Sequence, residues 1–296
     1  MRLYFILFFF SVGLLQAQDI SDSFTHIEGK NYITLSTYKK TGLLLTAKDS
    51  SNFLIRERDT LVLLTNPEPT SKTVSVPYEY KDEKFLDLYK QVVFNSNNPK
   101  KKSKTYMRYW KEPIKLYVHN TIPESHQSNL VAFTNFISEN VDSLNIRQVS
   151  TPEESNFIVY YTKNDTDKDF EPKINDNISG YYVNWNGNNQ IYKAAVKVNT
   201  MNLTTEAFQL LHLKHNFFRA LGHFNSSKDL PCSDYFANCK TMKEFSENDL
   251  SLLKYHYSYG ICKGSNLETF ENQHKFFKAL VKEDNVGLRV SHTTSK

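Results

Sequence analysis

The stretch from His212 to Asn225, reading His-Leu-Lys-His-Asn-Phe-Phe-Arg-Ala-Leu-Gly-His-Phe-Asn, limits the fold more than any other part of the chain. Leu210, Leu211, Phe217, Phe218 and Leu221 supply an apolar helix face, so a helix must bury one side here, and Gly222 predicts its end. His212 and His215 fall one turn apart on the same face, with Arg219 one turn beyond His215. Elements of both kinds surround this helix. Residues 107–113 lead into an alternating strand at 114–118. Residues 124–141 carry a helical pattern through Leu130, Phe133, Phe136, Ile137 and Val141. Strands are expected at 146–149, 157–161 and 180–185, and residues 192–198 read as a strand entering the helix. Downstream, Ser246 is placed to cap another helix with Asp249 reaching back, and Leu250, Leu253 and Tyr257 share one of its faces. Mixed elements in this order predict an α+β domain.

The frame from His215 to Asn225 resembles the metzincin zinc-protease signature H-E-x-x-H-x-x-G-x-x-H/D. In that signature two histidines four residues apart face one Zn²⁺, and the Glu beside the first activates the zinc-bound water. The glycine then turns the chain to deliver a third ligand. His215 falls on the first ligand, Gly222 on the glycine and Asn225 on the third ligand, but Asn216 replaces the Glu and Arg219 the second His. A guanidinium stays charged and has no acceptor, so Arg219 cannot ligate a metal. Asn216 cannot take up a proton near neutral pH and so cannot serve as general base.

The resemblance extends further. Thr241-Met242 and the Ser246-capped helix look like the methionine turn and terminal helix of a matrixin-type domain. The order of elements is similar to that of a metzincin, with residues 192–198 in the place of its edge strand. The Arg108-Tyr109-Trp110 opening and the later Ser155-Asn156-Phe157-Ile158-Val159-Tyr160 also resemble a family of bacterial secreted proteins of unknown function, itself a distant zincin relative. Over residues 83–262 the resemblance implies a zincin-like fold: a twisted mixed sheet with long helices, a methionine turn at Met242 and a C-terminal helix.

Three readings of function follow. The first is an exported, degenerate metzincin-like protein without peptidase activity, binding a peptide or protein partner in the former cleft, with Arg219 and His215 as the ligand-binding residues. On that reading no cofactor is expected. Arg219 then either pairs with a neighbouring acid that fills the vacated site or holds a carboxylate or phosphate through its planar fork. The second is an atypical zinc metallopeptidase using His212, His215 and His223. The third is an inert structural or cell-envelope protein. Fold-level analogy alone does not separate them.

Residues 1–17 have the pattern of a secretory signal: Arg2, an apolar run over 3–15, and Leu15-Gln16-Ala17 before Gln18. Nothing later is apolar enough to anchor, so the mature chain is expected to carry no membrane span. Residues 18–80 form a small β-rich region with strand-like runs at 32–38, 43–47, 53–57, 61–65 and 73–80. A helix is expected at 83–94, and another at 267–281 within a C-terminal segment, 263–296, whose tail frays. The net charge of +4 is too small to argue for nucleic acid, and the basic run at 99–104 lacks interleaved aromatics. Cys232, Cys239 and Cys262 leave one cysteine over. Either Cys232–Cys239 or Cys239–Cys262 is compatible with the sequence. Asn-x-Ser/Thr sequons stand at Asn164, Asn177, Asn202 and Asn225.

Overall fold

The computed structural model describes residues 24–27, 30–40, 44–56, 59–64, 73–98, 105–163, 167, 169–175, 179–284 and 289–293. The expected signal segment, the basic run at 99–104 and the sequons at Asn164 and Asn177 lie outside them. Apart from Lys40–Gly42, residues up to Leu64 form one compact unit, and Lys40–Gly42 with everything from Thr65 onward forms a second.

The first unit pairs β1 (Phe24–Ile27), β2 (Lys30–Thr34), β3 (Leu54–Arg56) and β4 (Asp59–Leu63) antiparallel in the order β1-β2-β4-β3. Ile33, Leu61 and Val62 are its buried apolar residues among those described. Two of the expected strand runs are partly helical. Residues 35–40 form α1 (Leu35–Lys40) and 47–51 form α2 (Ala47–Ser51). The reason for α2 is local. Thr46 and Asp49 make a reciprocal capping box, satisfying backbone donors that a strand would have needed a neighbour to satisfy.

In the second unit, β5 (Thr73–Pro77) is followed by α3 (Glu83–Phe94), which Asp82 caps. A central sheet follows, built from β6 (Tyr109–Trp110), β7 (Ile114–Val118), β8 (Ile146–Gln148), β9 (Phe157–Thr162), β10 (Gly180–Trp185) and β11 (Gln190–Asn199). Its order is β10-β11-β9-β7-β8, with β6 alongside the start of β11. All its pairs are parallel except the β10–β11 hairpin. Residues 192–198 therefore lie inside the sheet rather than at its edge, and β10 and β8 are its outer strands. Central β9 is buried on both faces, as its unbroken Phe-Ile-Val-Tyr-Tyr run requires.

Helix α4 (Glu124–Asn140) crosses between β7 and β8, and α5 (Glu206–Ala220) follows β11. Phe217 of α5 stacks on Phe157 of β9 with ring centroids 4.8 Å apart, and Phe133 of α4 meets Phe217 edge-on. Then come α6 (Glu247–Tyr257) and α7 (Leu267–Asp284), which pack with α3 through Tyr89, Tyr255, Phe270 and His274. Part of the tail expected to fray is instead paired. Residues 289–293 form β12 (Arg289–Thr293), which pairs with β5. That contact joins the two ends of this unit and has no local sequence signal. Among the described residues, no helix is long and apolar enough to cross a membrane.

Candidate functional site

The site is built on α5. Thr205 opens the helix by accepting the Phe208 N–H, and Leu213, Phe217, Phe218 and Ala220 are buried. His212, His215, Asn216 and Arg219 occupy the opposite stripe and are half-buried. The helix packs against both β10 and β11, while the contacts of its polar stripe run to the loop that follows, His215 to Tyr235 and Arg219 to Ser226.

Gly222 ends the helix, though not by adopting a left-handed conformation. The positive φ, 53°, belongs to His223. What Gly222 supplies is room: a Cβ there would stand 2.3 Å from the Phe224 ring. That ring is buried against Phe218, Phe236 and His256. Gly222→Ala is expected to displace it and to lower stability by about 1–3 kcal/mol, measured by urea unfolding. A change below about 1 kcal/mol would show that the ring has somewhere else to go.

His215 is committed to the protein. Its Nε2 lies 2.9 Å from the Tyr235 carbonyl, so that nitrogen carries the proton and the ring is neutral. Burial pushes the imidazole down to about 4, with Arg219, Lys243 and His212 pushing the same way and the carbonyl opposing them. Arg219 donates from Nη1 to the Ser226 hydroxyl at 2.9 Å, while its buried Nε–H has no partner. Among the described residues no carboxylate pairs with Arg219. The neighbouring acid that would have filled the vacated site is absent there. Asn216 likewise has a buried side-chain amide nitrogen without a partner.

Asn225 and His223 point elsewhere. The backbone N–H of Asn225 donates to the Val92 carbonyl at 2.7 Å, and its side chain turns to the same oxygen, tying the turn to α3. His223 packs on Tyr181 and Trp185 of β10, with centroids 5.9 and 5.5 Å apart. Arg108 lies over Trp185 at 4.0 Å. The structure thus places His212, His215, Asn216 and Arg219 on one stripe but does not gather His212, His215 and His223 around one point. Among the described residues no three His, Cys, Asp or Glu side chains form a group able to hold a metal ion. The resemblance puts Met242 in a turn beneath the helix. It is instead 51% exposed, and the rings packed on Phe218 there belong to Tyr235, Phe236 and Phe245.

The loop packed against α5 is held by residues whose roles the sequence showed only in part. Cys232 and Cys239 form a disulfide and Cys262 is free, which resolves the pairing. Lys243 donates to the carbonyls of Cys232, Asp234 and Ala237. The Asp249 carboxylate accepts the backbone N–H groups of Tyr235 and Phe236, both at 2.9 Å. The Ser246–Asp249 pairing pointed to the helix cap, and nothing local pointed to this second duty.

The fold and site together define an α+β domain with a polar helix stripe packed against the loop that follows it. The family described as "Protein of unknown function (DUF2927)" matches residues 82–273, more than half of the chain, and the chain belongs to that family. The match runs from the cap of α3 into α7. No curated protein matches the chain.

Proposed function

We propose that this protein is an exported, degenerate metzincin-like domain that binds a peptide or protein partner along β10 and α5 rather than cleaving it. The observation that carries the reading is the state of α5. His215, on the first-ligand position, donates its Nε2–H to the Tyr235 carbonyl, and a guanidinium stands one turn on. The element order, from β7 through α4 and the remaining strands to α5 and the Ser246-capped α6, supports a zincin-like ancestry. The side chains present do not fit a zinc ion. Arg219 adds positive charge where a ligand must supply electron pairs, and Asn225 is turned to α3.

The outer strand supports the binding half of the reading. Among the described residues no strand pairs with the free side of β10, so its backbone groups can receive an extended segment. Trp185 is 40% exposed at its end and offers an aromatic platform. Export is supported by the signal-like residues 1–17 and the Cys232–Cys239 bridge, which an oxidising compartment preserves.

The test uses residues 18–296 purified without chelator, assayed for metal by elemental mass spectrometry and for cleavage of a fluorogenic peptide pool. Amide shifts over Gly180–Trp185 are followed as the same pool is added in uncleavable form. The expected result is saturable shifts along β10 without metal-dependent cleavage. Zinc-dependent cleavage abolished by His215→Ala would overturn the reading in favour of a metallopeptidase using His212, His215 and His223. Neither cleavage nor shifts would favour an inert structural role.

A further inference from the structure

The central sheet has two faces, and α4 and α5 pack on one of them. Phe157, Val159, Ala194 and Val196 point to that side. On the other side Ile158, Tyr160 and Ala195 meet Phe170 and Ile174 from the segment 169–175, which lies between β9 and β10 in the chain. Asp169 pins that segment by accepting from the buried Lys197 ammonium at 3.0 Å and from the Tyr160 hydroxyl. The cover stops short of one row. Leu116 and Ala194 both pair with Phe157, so Lys115 and Lys193, each one residue earlier, lie at the same level of the sheet. Arg147 of β8 pairs with Lys115, and Asn184 of β10 with Lys193. Leu116, Ile146 and Ala194 belong to the helix-side core, so by alternation Lys115, Arg147 and Lys193 face the other way. Ile191 and Ala194 both face the helices, so the bulge in β11 turns Tyr192 and Lys193 out together. Arg147, Tyr192 and Lys193 are exposed and Lys115 is half-buried. Among the described residues no carboxylate forms an ion pair with any of these three cations. Asp169 is taken by Lys197, and Glu171 is buried.

We propose that this row is a docking surface for an acidic polysaccharide chain. Neighbouring strands stand about 4.8 Å apart, so the three cations span about 14 Å across the sheet. Like charges held in a line on an open face attract an extended polyanion. The shape then selects among polyanions. An acidic peptide draws its affinity from a sheet edge or from side-chain pockets, whereas this row runs across the strands. Single-stranded nucleic acid uses several rings to stack successive bases. Here Tyr117 and Tyr182 are half-buried and Lys173 lies over the Tyr182 ring, which leaves Tyr192, 56% exposed, as the open ring of the three. A sugar chain needs one ring to pack against, cations for its carboxylates or sulfates, and amides such as that of Asn184 for its hydroxyls. The surface faces away from α5 and does not rest on the peptide-binding reading.

The test titrates residues 18–296 with polygalacturonate, heparin, neutral dextran, polyglutamate and oligothymidylate, followed by calorimetry at low and at physiological salt. Polygalacturonate or heparin is expected to bind saturably, at least about tenfold tighter than polyglutamate or oligothymidylate, with no binding of dextran. Replacing Lys115, Arg147 and Lys193 together by Gln is expected to weaken binding about tenfold or more, a few-fold for each charge, with urea unfolding unchanged. Were that variant to unfold, Arg147→Gln and Lys193→Gln, both at exposed positions, carry the same test singly. Tyr192→Ala is expected to weaken binding about threefold at both salt concentrations, because packing on a sugar ring is not screened. A smaller preference over polyglutamate or oligothymidylate, or no effect of Tyr192→Ala, overturns the polysaccharide assignment. No binding of either acidic polysaccharide, or binding that loss of the three cations leaves unchanged, overturns the surface itself.

Discussion

Lowering the pH from 7 to 5 is expected to destabilise the second unit steeply, with the protons taken up on unfolding approaching about three near pH 5. The cause is a set of buried neutral histidines. His256 donates from Nε2 to the Arg108 carbonyl, accepts from the Tyr89 hydroxyl at Nδ1, and is pushed down to about 3 by burial and by Lys263. His274 sits between the hydroxyls of Tyr78 and Tyr255 and is pushed down to about 4 by burial, with Lys278 adding to it. His215 is held near 4 by its own burial. The sign follows from the unfolded chain, in which a histidine titrates near about 6.5. Above that pH both states are neutral and stability is at its full value. Between about 6.5 and 4 the unfolded chain binds protons that the folded one excludes, so stability falls as the pH falls. Each histidine contributes a slope of about 1.4 kcal/mol per pH unit, and three contribute about 4. Only the stretch from about 6.5 to 5 counts, so the loss is about 6 kcal/mol, a large part of the about 5–15 kcal/mol by which a single domain is stable. Asp249, whose carboxyl burial raises, opposes the trend as a single group. Urea unfolding at a series of pH values gives the slope directly. A flat profile between pH 7 and 5 would mean that these rings protonate without unfolding the chain.

Asp249→Ala is expected to cost about 3–5 kcal/mol, well above the loss of a helix cap alone. The residue is fully buried, and its carboxylate serves two elements at once. On its own helix it accepts the Ser246 N–H and hydroxyl, completing the capping box. Across the fold it accepts the Tyr235 and Phe236 N–H groups, at opposite oxygens. Losing the cap costs about 1 kcal/mol, and stranding two buried amides costs about 1–3 kcal/mol each. Asp249→Asn keeps one acceptor oxygen and turns the other position into a donor facing a donor, so it is expected to recover less than half of the loss. Urea unfolding of both variants measures this. A loss below about 1 kcal/mol in Asp249→Ala would show that water takes over the orphaned amides. A second readout follows from position. The Tyr235 carbonyl accepts from His215 and favours its charged form, so releasing Tyr235 is expected to lower the His215 pKa further, measurable by NMR titration.

What the sequence displayed well was periodicity. The alternation in Ile114–Val118, the helical spacing in α3 and α4, and the Ser246–Asp249 box each lie within a few turns of chain, and each forms where expected. The N-terminal region was harder. Its short runs have no periodicity long enough to separate a capped turn from a strand, and the Thr46–Asp49 box turned residues 47–51 into helix. For the candidate site, the face carrying His212, His215, Asn216 and Arg219 was legible because it needs only the helical repeat of about 3.6 residues per turn. The partners of that face were not legible. Ser226, Tyr235 and Val92 are brought to α5 and its following turn by packing and by a disulfide.

By itself, then, the sequence determined an α+β chain and a helix whose polar stripe lacks the general base and second ligand of the signature it resembles. These are properties of residue type and local spacing. Only the tertiary structure decided that β10 is an outer strand, that residues 289–293 pair with β5, that Gly222 makes room for a ring, and that Arg219 and Asn216 each keep a buried donor without a partner. The physical reason is common to all four. Pairing, close approach and hydrogen-bond satisfaction depend on which groups distant parts of the chain bring together, and local spacing along the chain carries no record of that.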